Sequence, residues 1–334
     1  QFCGGETIDG CESTIQELEK AKIGTILDYS VEGEESEKSF QKTKEEILKT
    51  IRKSAENPAI PFAVFKVTGI FKAELLEKAQ TEVELNEEEQ ELFDHSKEIL
   101  VEICELAHQL KVRLFIDAEE SWIQTTIDHL TYEMMERFNH ETAIIYNTFQ
   151  MYRHDMLANL KAAVETAQEK NYYLGVKLVR GAYLEKERQK AHEDEYSEPL
   201  HVSKEDTDRD YDLGVELCLK NVERVHFCMG THNEASCLRL CDAMNALEIP
   251  SNHPNIYFAQ LLGMSDNISY NLAASGYNVA KYVPYGPVDA VMPYLFRRAE
   301  ENSSIAGQTS REFALLQKEV NRRNNAWKTT AISS

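Results

Sequence analysis

Eight short apolar runs, rich in β-branched and aromatic residues, recur along the chain between longer stretches of helical periodicity. They cover residues 24–30, 61–69, 112–118, 143–150, 174–181, 224–231, 255–263 and 278–286. None alternates cleanly between apolar and polar positions. A strand with water on one face alternates, whereas a strand covered on both faces reads as a continuous run. Between these runs apolar residues return three and four positions apart, as on one face of a helix. Phe40, Ile47, Leu48 and Ile51 do so within 36–55, and Ile99, Ile103, Leu106 and Leu110 within 92–110. Further helices are expected over 121–138, 153–170, 209–222, 233–247 and 265–275, and after the Gly286-Pro287 turn.

Strand and helix repeated eight times without a long linker predict an α/β protein, a single TIM-type (β/α)8 barrel over residues 24–330. Alternation does not prove closure, so a doubly wound open sheet is the alternative. Residues 1–23 read as an N-terminal segment, expected to continue a longer chain upstream of Gln1. Two inserts interrupt the repeat. Residues 72–91 add an acidic helical segment, and residues 183–210 form a long charged stretch, read as a loop. In a barrel both leave from the C-terminal face, so the second is a candidate lid, or else a solvated excursion.

Nearly every expected strand ends in a polar side chain: Asp28, Lys66 and Thr68, Asp117 and Glu119, Gln150, Lys177 and Arg180, Thr231 with His232 and Asn233, Gln260, and Tyr282. Buried polar groups cost free energy unless partnered, so so many on one rim points to a site. Lys66 and Asp117, on neighbouring strands, also suit a structural ion pair. After the last strand, Tyr294, Arg297, Arg298 and Glu301 fall on one helical face beside an apolar strip of Val291, Leu295 and Ala299. Pro293 should kink that helix. The guanidinium fork suits a carboxylate or phosphate, and the region after the last two barrel strands is a usual anion site. The cationic rim therefore predicts an anionic ligand. A surface helix with Arg–Glu pairs is the plainer alternative.

Composition changes this picture little. The chain has 334 residues, 42% of them hydrophobic, and a net charge of −21 from 57 acidic and 36 basic side chains. That sign argues against nucleic acid, whose affinity comes from cations on phosphate. No apolar run approaches the roughly 18 residues of a membrane span, and no secretory signal is visible. Seven cysteines without a C-x-x-C pair read as reduced thiols. Cys237 and Cys241, four apart and near His226, Cys228 and His232, could be a metal site, but buried free thiols are the plainer expectation. No G-x-G-x-x-G or Walker-type loop is present, so a bound nucleotide would need another cradle.

The stretches "FCGGET", "FIDAEESW", "GVKLVRGAYLEKER", "THNE", "YFAQLLGMSD" and "YVPYGPVDAVMPYLFRRAEENSS" resemble the proline dehydrogenase family, most closely its eukaryotic-type members. The resemblance spans nearly the whole chain. It implies a distorted barrel carrying non-covalent FAD at the strands' C-terminal ends. It implies oxidation of L-proline to Δ1-pyrroline-5-carboxylate by hydride transfer to the flavin, with a quinone as the next electron acceptor. Carried over by motif, Arg297 and Arg298 would grip the proline carboxylate. Tyr282, Tyr294 and Leu261 would wall the ring, and Lys66 and Asp117 would stand at the substrate end. Gln150, Lys177, Arg180, Gly181, Ala182, Tyr183, Thr231, His232, Asn233, Gln260 and Glu301 match flavin-contacting positions. Lys177 departs from the arginine of the bacterial bifunctional enzymes, and Leu184 from their tryptophan. The family associates Tyr294 with preference for proline over hydroxyproline.

Two other readings compete. Strand-end lysines also serve Schiff-base aldolases, where Lys66 or Lys177 would be the amine. A flavin-binding protein without turnover is the third. The acidic surface and the lack of a targeting segment lead us to expect a bacterial cytoplasm, with a peripheral membrane contact open. The matrix side of the mitochondrial inner membrane is the alternative.

Overall fold

The structure is a computed structural model and describes residues 2–30, 36–292 and 294. Eight parallel strands close into one barrel in chain order: β1 (Ile23–Tyr29), β2 (Phe62–Lys66), β3 (Arg113–Asp117), β4 (Ile145–Gln150), β5 (Leu174–Val179), β6 (Val225–Gly230), β7 (Ile256–Leu261) and β8 (Val279–Tyr285). Closure excludes the open sheet. β8 returns to β1 along the full register from Ile23↔Val279 to Tyr29↔Tyr285. The described helices are α1 (Glu12–Lys20), α2 (Glu37–Glu56), α3 (Ala73–Gln80), α4 (Glu87–Leu110), α5 (Ser121–Phe138), α6 (Met156–Glu169), α7 (Leu184–Glu193), α8 (Lys204–Lys220), α9 (Glu234–Ala246) and α10 (Asp266–Ala274).

The apolar periodicity finds these helices but misplaces some starts. α4 begins at Glu87, before the apolar stripe expected from residue 92, because Asn86 and Glu89 form a reciprocal capping box. α8 begins at Lys204 rather than 209 because the Ser203 side chain accepts from the Asp206 N–H. Both first turns are acidic, which suits the positive end of the helix dipole. β2 stops at Lys66 and turns into a short 3-10 segment, Val67–Gly69, instead of running to residue 69.

The charged stretch 183–210 is not a loop throughout. It holds α7, an extended piece in which Leu200 bridges Arg153, and the start of α8. Glu187 explains why so polar a helix docks. Its side chain is fully buried, and its carboxylate accepts from the Ser121 N–H at 2.7 Å and the Ser121 hydroxyl at 2.6 Å, at the start of α5. A carboxylate at that N-terminus satisfies an unpaired backbone donor. Lys186 to Glu120 at 2.6 Å and Lys190 over the Trp122 ring at 5.4 Å join the same two elements.

Two apolar layers result. One lies between strands and helices and contains Leu114, Ile116, Phe149, Leu178 and Phe258; the other fills the barrel with Ile26, Phe62, Val64, Phe115, Tyr146, Cys228, Ala259 and Ala280. Gly175 makes room inside, since a Cβ there would lie 2.6 Å from the Tyr146 ring. The N-terminal segment lies against the C-terminal end of the barrel. The Gly4 N–H donates to the Pro284 carbonyl at 2.9 Å, and Gly5 bridges Tyr285 at the end of β8. Among the described residues no helix is long and apolar enough to cross a membrane.

Candidate active site

At the C-terminal end, above an apolar middle layer, the side chains that point into the barrel become charged. Along β3 the inward residues are Arg113, Phe115 and Asp117; along β5 Gly175 and Lys177; along β8 Ala280 and Tyr282. Lys177, 6% exposed along its side chain, forms an ion pair with Asp117, and its Nζ donates to the Tyr282 hydroxyl at 2.8 Å. That hydroxyl donates in turn to Asp117 at 3.0 Å. Three strands thus meet in one closed triangle. The lysine also lies 4.8 Å over the Tyr282 ring and 5.3 Å over the Phe115 ring, where its charge gains from both faces. Its ammonium has three donors, and the triangle uses two.

Asp28 of β1 sits beside this triangle, 3% exposed, and accepts from the Ser30 hydroxyl at 2.7 Å. Burial pushes its carboxyl above the ordinary range; Lys66 and Lys177 pull it back and Asp117 pushes it further. Burial, then Asp117 and Asp28, raise the Tyr282 phenol well above its usual value. Tyr282 is therefore a neutral donor at physiological pH. Lys66 ends β2, half-buried, with its Nζ 5.7 Å over the ring of buried Tyr294. The structural pair expected between Lys66 and Asp117 is corrected in one respect: the described ion pair of Asp117 is with Lys177. Leu261, half-buried at the end of β7, packs on the barrel interior.

The second group lies along the ends of β4 to β7. Gln150 donates to the Glu119 carbonyl at 2.6 Å and accepts from the Ala182 N–H at 3.4 Å. Arg180 donates to Asp208 at 2.7 Å, to the Thr231 hydroxyl at 2.7 Å and to Ser236 at 3.1 Å, and its guanidinium lies 4.2 Å over the Tyr211 ring. Gly181 has a φ of +149°, and a Cβ there would meet the Tyr152 ring at 2.4 Å, so only glycine fits. Tyr183, buried, leads into α7. The Thr231 hydroxyl accepts from the Asn233 N–H at 3.0 Å, and Asn233 caps α9. The His232 ring bonds Ser265 at 3.0 Å. Gln260 faces away from the barrel interior, where it donates to the Thr231 carbonyl at 3.1 Å and accepts from Ser269 at 2.9 Å.

Arg297, Arg298 and Glu301, together with Pro293 and its expected kink, lie outside the described residues. Sequence reasoning passed over Glu187, hidden in a charged run, and Lys281. Lys281 is fully buried on the outer face of β8 and holds the β7–α10 loop through the Leu261 carbonyl at 3.2 Å and Asp266 at 2.8 Å. A lysine inside an apolar strand run was its one signal. Among the described residues no group of three or more His, Cys, Asp and Glu side chains is placed to hold a metal ion. Burial pushes the Cys237 thiol up to about 12.

The profile of the family described as proline dehydrogenase matches residues 11–311. Among curated relatives, "Proline dehydrogenase 1, mitochondrial" of Dictyostelium discoideum is 34% identical over 97% of this chain and 64% of its own length. "Hydroxyproline dehydrogenase" of Xenopus laevis is 30% identical over 97% of this chain and 77% of its own. The chain thus spans a little under two thirds of the Dictyostelium protein. Among solved structures, proline utilization A from Bdellovibrio bacteriovorus superposes with a TM-score of 0.81, at 22% identity over 91% of this chain and 32% of that one. This last likeness supports the barrel fold alone.

Proposed function

The chain belongs to the proline dehydrogenase family, and on that premise we propose that it oxidises L-proline to Δ1-pyrroline-5-carboxylate with FAD as redox group and a quinone as electron acceptor. The observation that carries this reading is the charged triangle of Lys177, Asp117 and Tyr282, with Lys66 beside it, at the mouth of a closed barrel.

The rim of β4 to β7 fits a flavin nucleotide by its chemistry. Arg180 and the start of α9 favour anionic phosphates, and Gln150 and Thr231 offer uncharged donors and acceptors. Residues expected to hold FAD are Gln150, Lys177, Arg180, Gly181, Ala182, Tyr183, Thr231, His232, Asn233, Gln260 and Glu301. When bound, FAD supplies the two-electron acceptor for the hydride on the ring carbon next to nitrogen. The chain's own residues position and desolvate. Lys177, held by Asp117 and Tyr282, keeps a cation at the interior edge of the flavin rim, where it favours developing negative charge. Arg297 and Arg298 would fix the amino acid carboxylate, with Lys66 and Asp117 at the substrate end of the site. Leu261, Tyr282 and Tyr294 close an apolar wall around the ring and keep water out.

A buried phenol at Tyr294 supports proline over its 4-hydroxylated analogue. With trans-4-hydroxy-L-proline, kcat/KM is expected at least about tenfold below that for proline; equal values remove Tyr294 as a specificity residue. The mitochondrial name of the Dictyostelium relative favours the mitochondrial alternative over the bacterial cytoplasm read from the sequence. The direct test of function is turnover of L-proline by FAD-loaded protein with a soluble quinone, read as formation of the cyclic imine. Imine formation with no quinone consumed would retain the oxidation and discard the acceptor.

A further inference from the structure

Pairing between β2 and β3 ends at Lys66↔Asp117. Two residues further on each chain, Thr68 and Glu119 meet again, this time through side chains. The Glu119 carboxylate accepts from the Thr68 N–H at 3.0 Å and from the Thr68 hydroxyl at 2.5 Å. Glu119 is 3% exposed. Its N–H donates to Gln124 at 2.7 Å, its carbonyl accepts from Gln150 at 2.6 Å, and Gln150 accepts from the Ala182 N–H. One line of hydrogen bonds therefore crosses the ends of β2, β3, β4 and β5. It joins the strand that carries Lys66 to the strands assigned to the flavin.

We propose that Glu119 is a positioning residue for the reaction: its carboxylate fixes the rim end of β2, and with it Lys66, against the flavin-holding edge. This rests on the function proposed above. A buried carboxylate that makes no ion pair among the described residues is a costly way to fasten a loop. Burial pushes the Glu119 carboxyl up to about 7, against the two bonds from Thr68. The charged groups that face it are Lys66 from β2 and Glu120 on its own loop, the latter pushing it further up. Gln150 from β4 and Gln124 from α5 are uncharged, with Asp128 bonded beyond Gln124 at 2.8 Å. When Glu119 takes a proton, one of its acceptors becomes a donor and the Thr68 hydroxyl must turn. The hold on β2 then loosens as pH falls through neutrality.

The test uses FAD-loaded enzyme, with KM and kcat for L-proline read separately across neutral pH and with flavin content measured per protein. Glu119→Ala is expected to raise KM about tenfold and change kcat less than about threefold, at unchanged flavin content. Thr68→Val should act in the same direction, and the double variant should be no worse than Glu119→Ala alone, as coupled partners require. Glu119→Gln can still accept from the Thr68 N–H; it should keep KM within about threefold and lose the acid-side rise of the wild type. Should Glu119→Ala not fold, Thr68→Val and the pH profile of Glu119→Gln carry the test. A KM within about twofold of wild type in Glu119→Ala or Thr68→Val overturns the proposal. So does a loss confined to flavin content or Tm. Wild-type protein that does not oxidise proline would instead overturn the function on which the proposal rests.

Discussion

The two ends of the barrel interior hold the same kinds of residue and use them oppositely. At the N-terminal end, Arg113 lies 5.4 Å over Phe62 and 5.1 Å over Tyr257 and donates to the Pro254 carbonyl at 3.1 Å. Phe62 stacks on Phe115 at 4.3 Å and meets Tyr146 and Tyr257 edge-on. Here a half-buried cation lies against rings, and burial with Arg113 beside it holds His226 below its ordinary pKa. At the C-terminal end, Lys177 also lies over rings, but it meets a carboxylate that retains 13% side-chain exposure. One charge plugs the barrel and the other faces the mouth. The difference teaches that burial alone does not mark a site. What marks it is a buried cation held by a carboxylate and a phenol, at the end where loops can bring a ligand.

The contrast breaks most sharply at Lys177. Lys177→Met leaves Asp117 without its ion pair, and kcat/KM for proline is expected to fall by about 10²–10³, with stability down by about 3 kcal/mol. Arg113→Met should show the reverse profile: about 2 kcal/mol lost in denaturant unfolding and kcat/KM within about threefold of wild type. Similar losses of activity in both would erase the distinction between plug and site.

The two ends should also differ in their response to acid. Burial, with Arg113 and His253 nearby, lowers His226 from 6.5 to about 4. The unfolded chain then binds the extra proton first, so this residue costs stability as pH falls from 6.5 towards 4, by roughly 2 kcal/mol. Glu119 is raised from 4.5 to about 7, so the folded chain binds its proton first and stability falls as pH rises through that window. Melting temperatures across this range should rise with pH more steeply in Glu119→Gln than in wild type, and less steeply in His226→Gln. The smallest effect belongs to Leu184, 41% exposed on α7. Leu184→Ser is expected to change stability by less than about 0.5 kcal/mol and proline turnover hardly at all; a large loss of bound flavin there would give this residue a stacking role.

The barrel was legible because its strands are covered on both faces, and continuous apolar runs such as "VRLFIDA" and "RVHFCMGT" are what that environment selects. Strand-end polar residues were legible one by one. Their pairing was not: Lys177 and Asp117 lie 60 residues apart, and which strand end meets which depends on the register of a closed sheet. Lys66 and Asp117 are register partners on adjacent strands, yet Asp117 takes its ion pair from Lys177, two strands away. α7 was hidden because a buried Glu187 and ion pairs dock it rather than an apolar stripe. The helix expected to carry Arg297 and Arg298 stays a reading of spacing and resemblance, beyond the described Tyr294.

The most direct measurement is the visible spectrum of the purified protein before and after anaerobic addition of L-proline. The account predicts a flavin spectrum that bleaches on addition of proline and returns with a quinone. A flavin spectrum that proline leaves unchanged, or a colourless protein in which borohydride traps an adduct on Lys66 or Lys177, would contradict it.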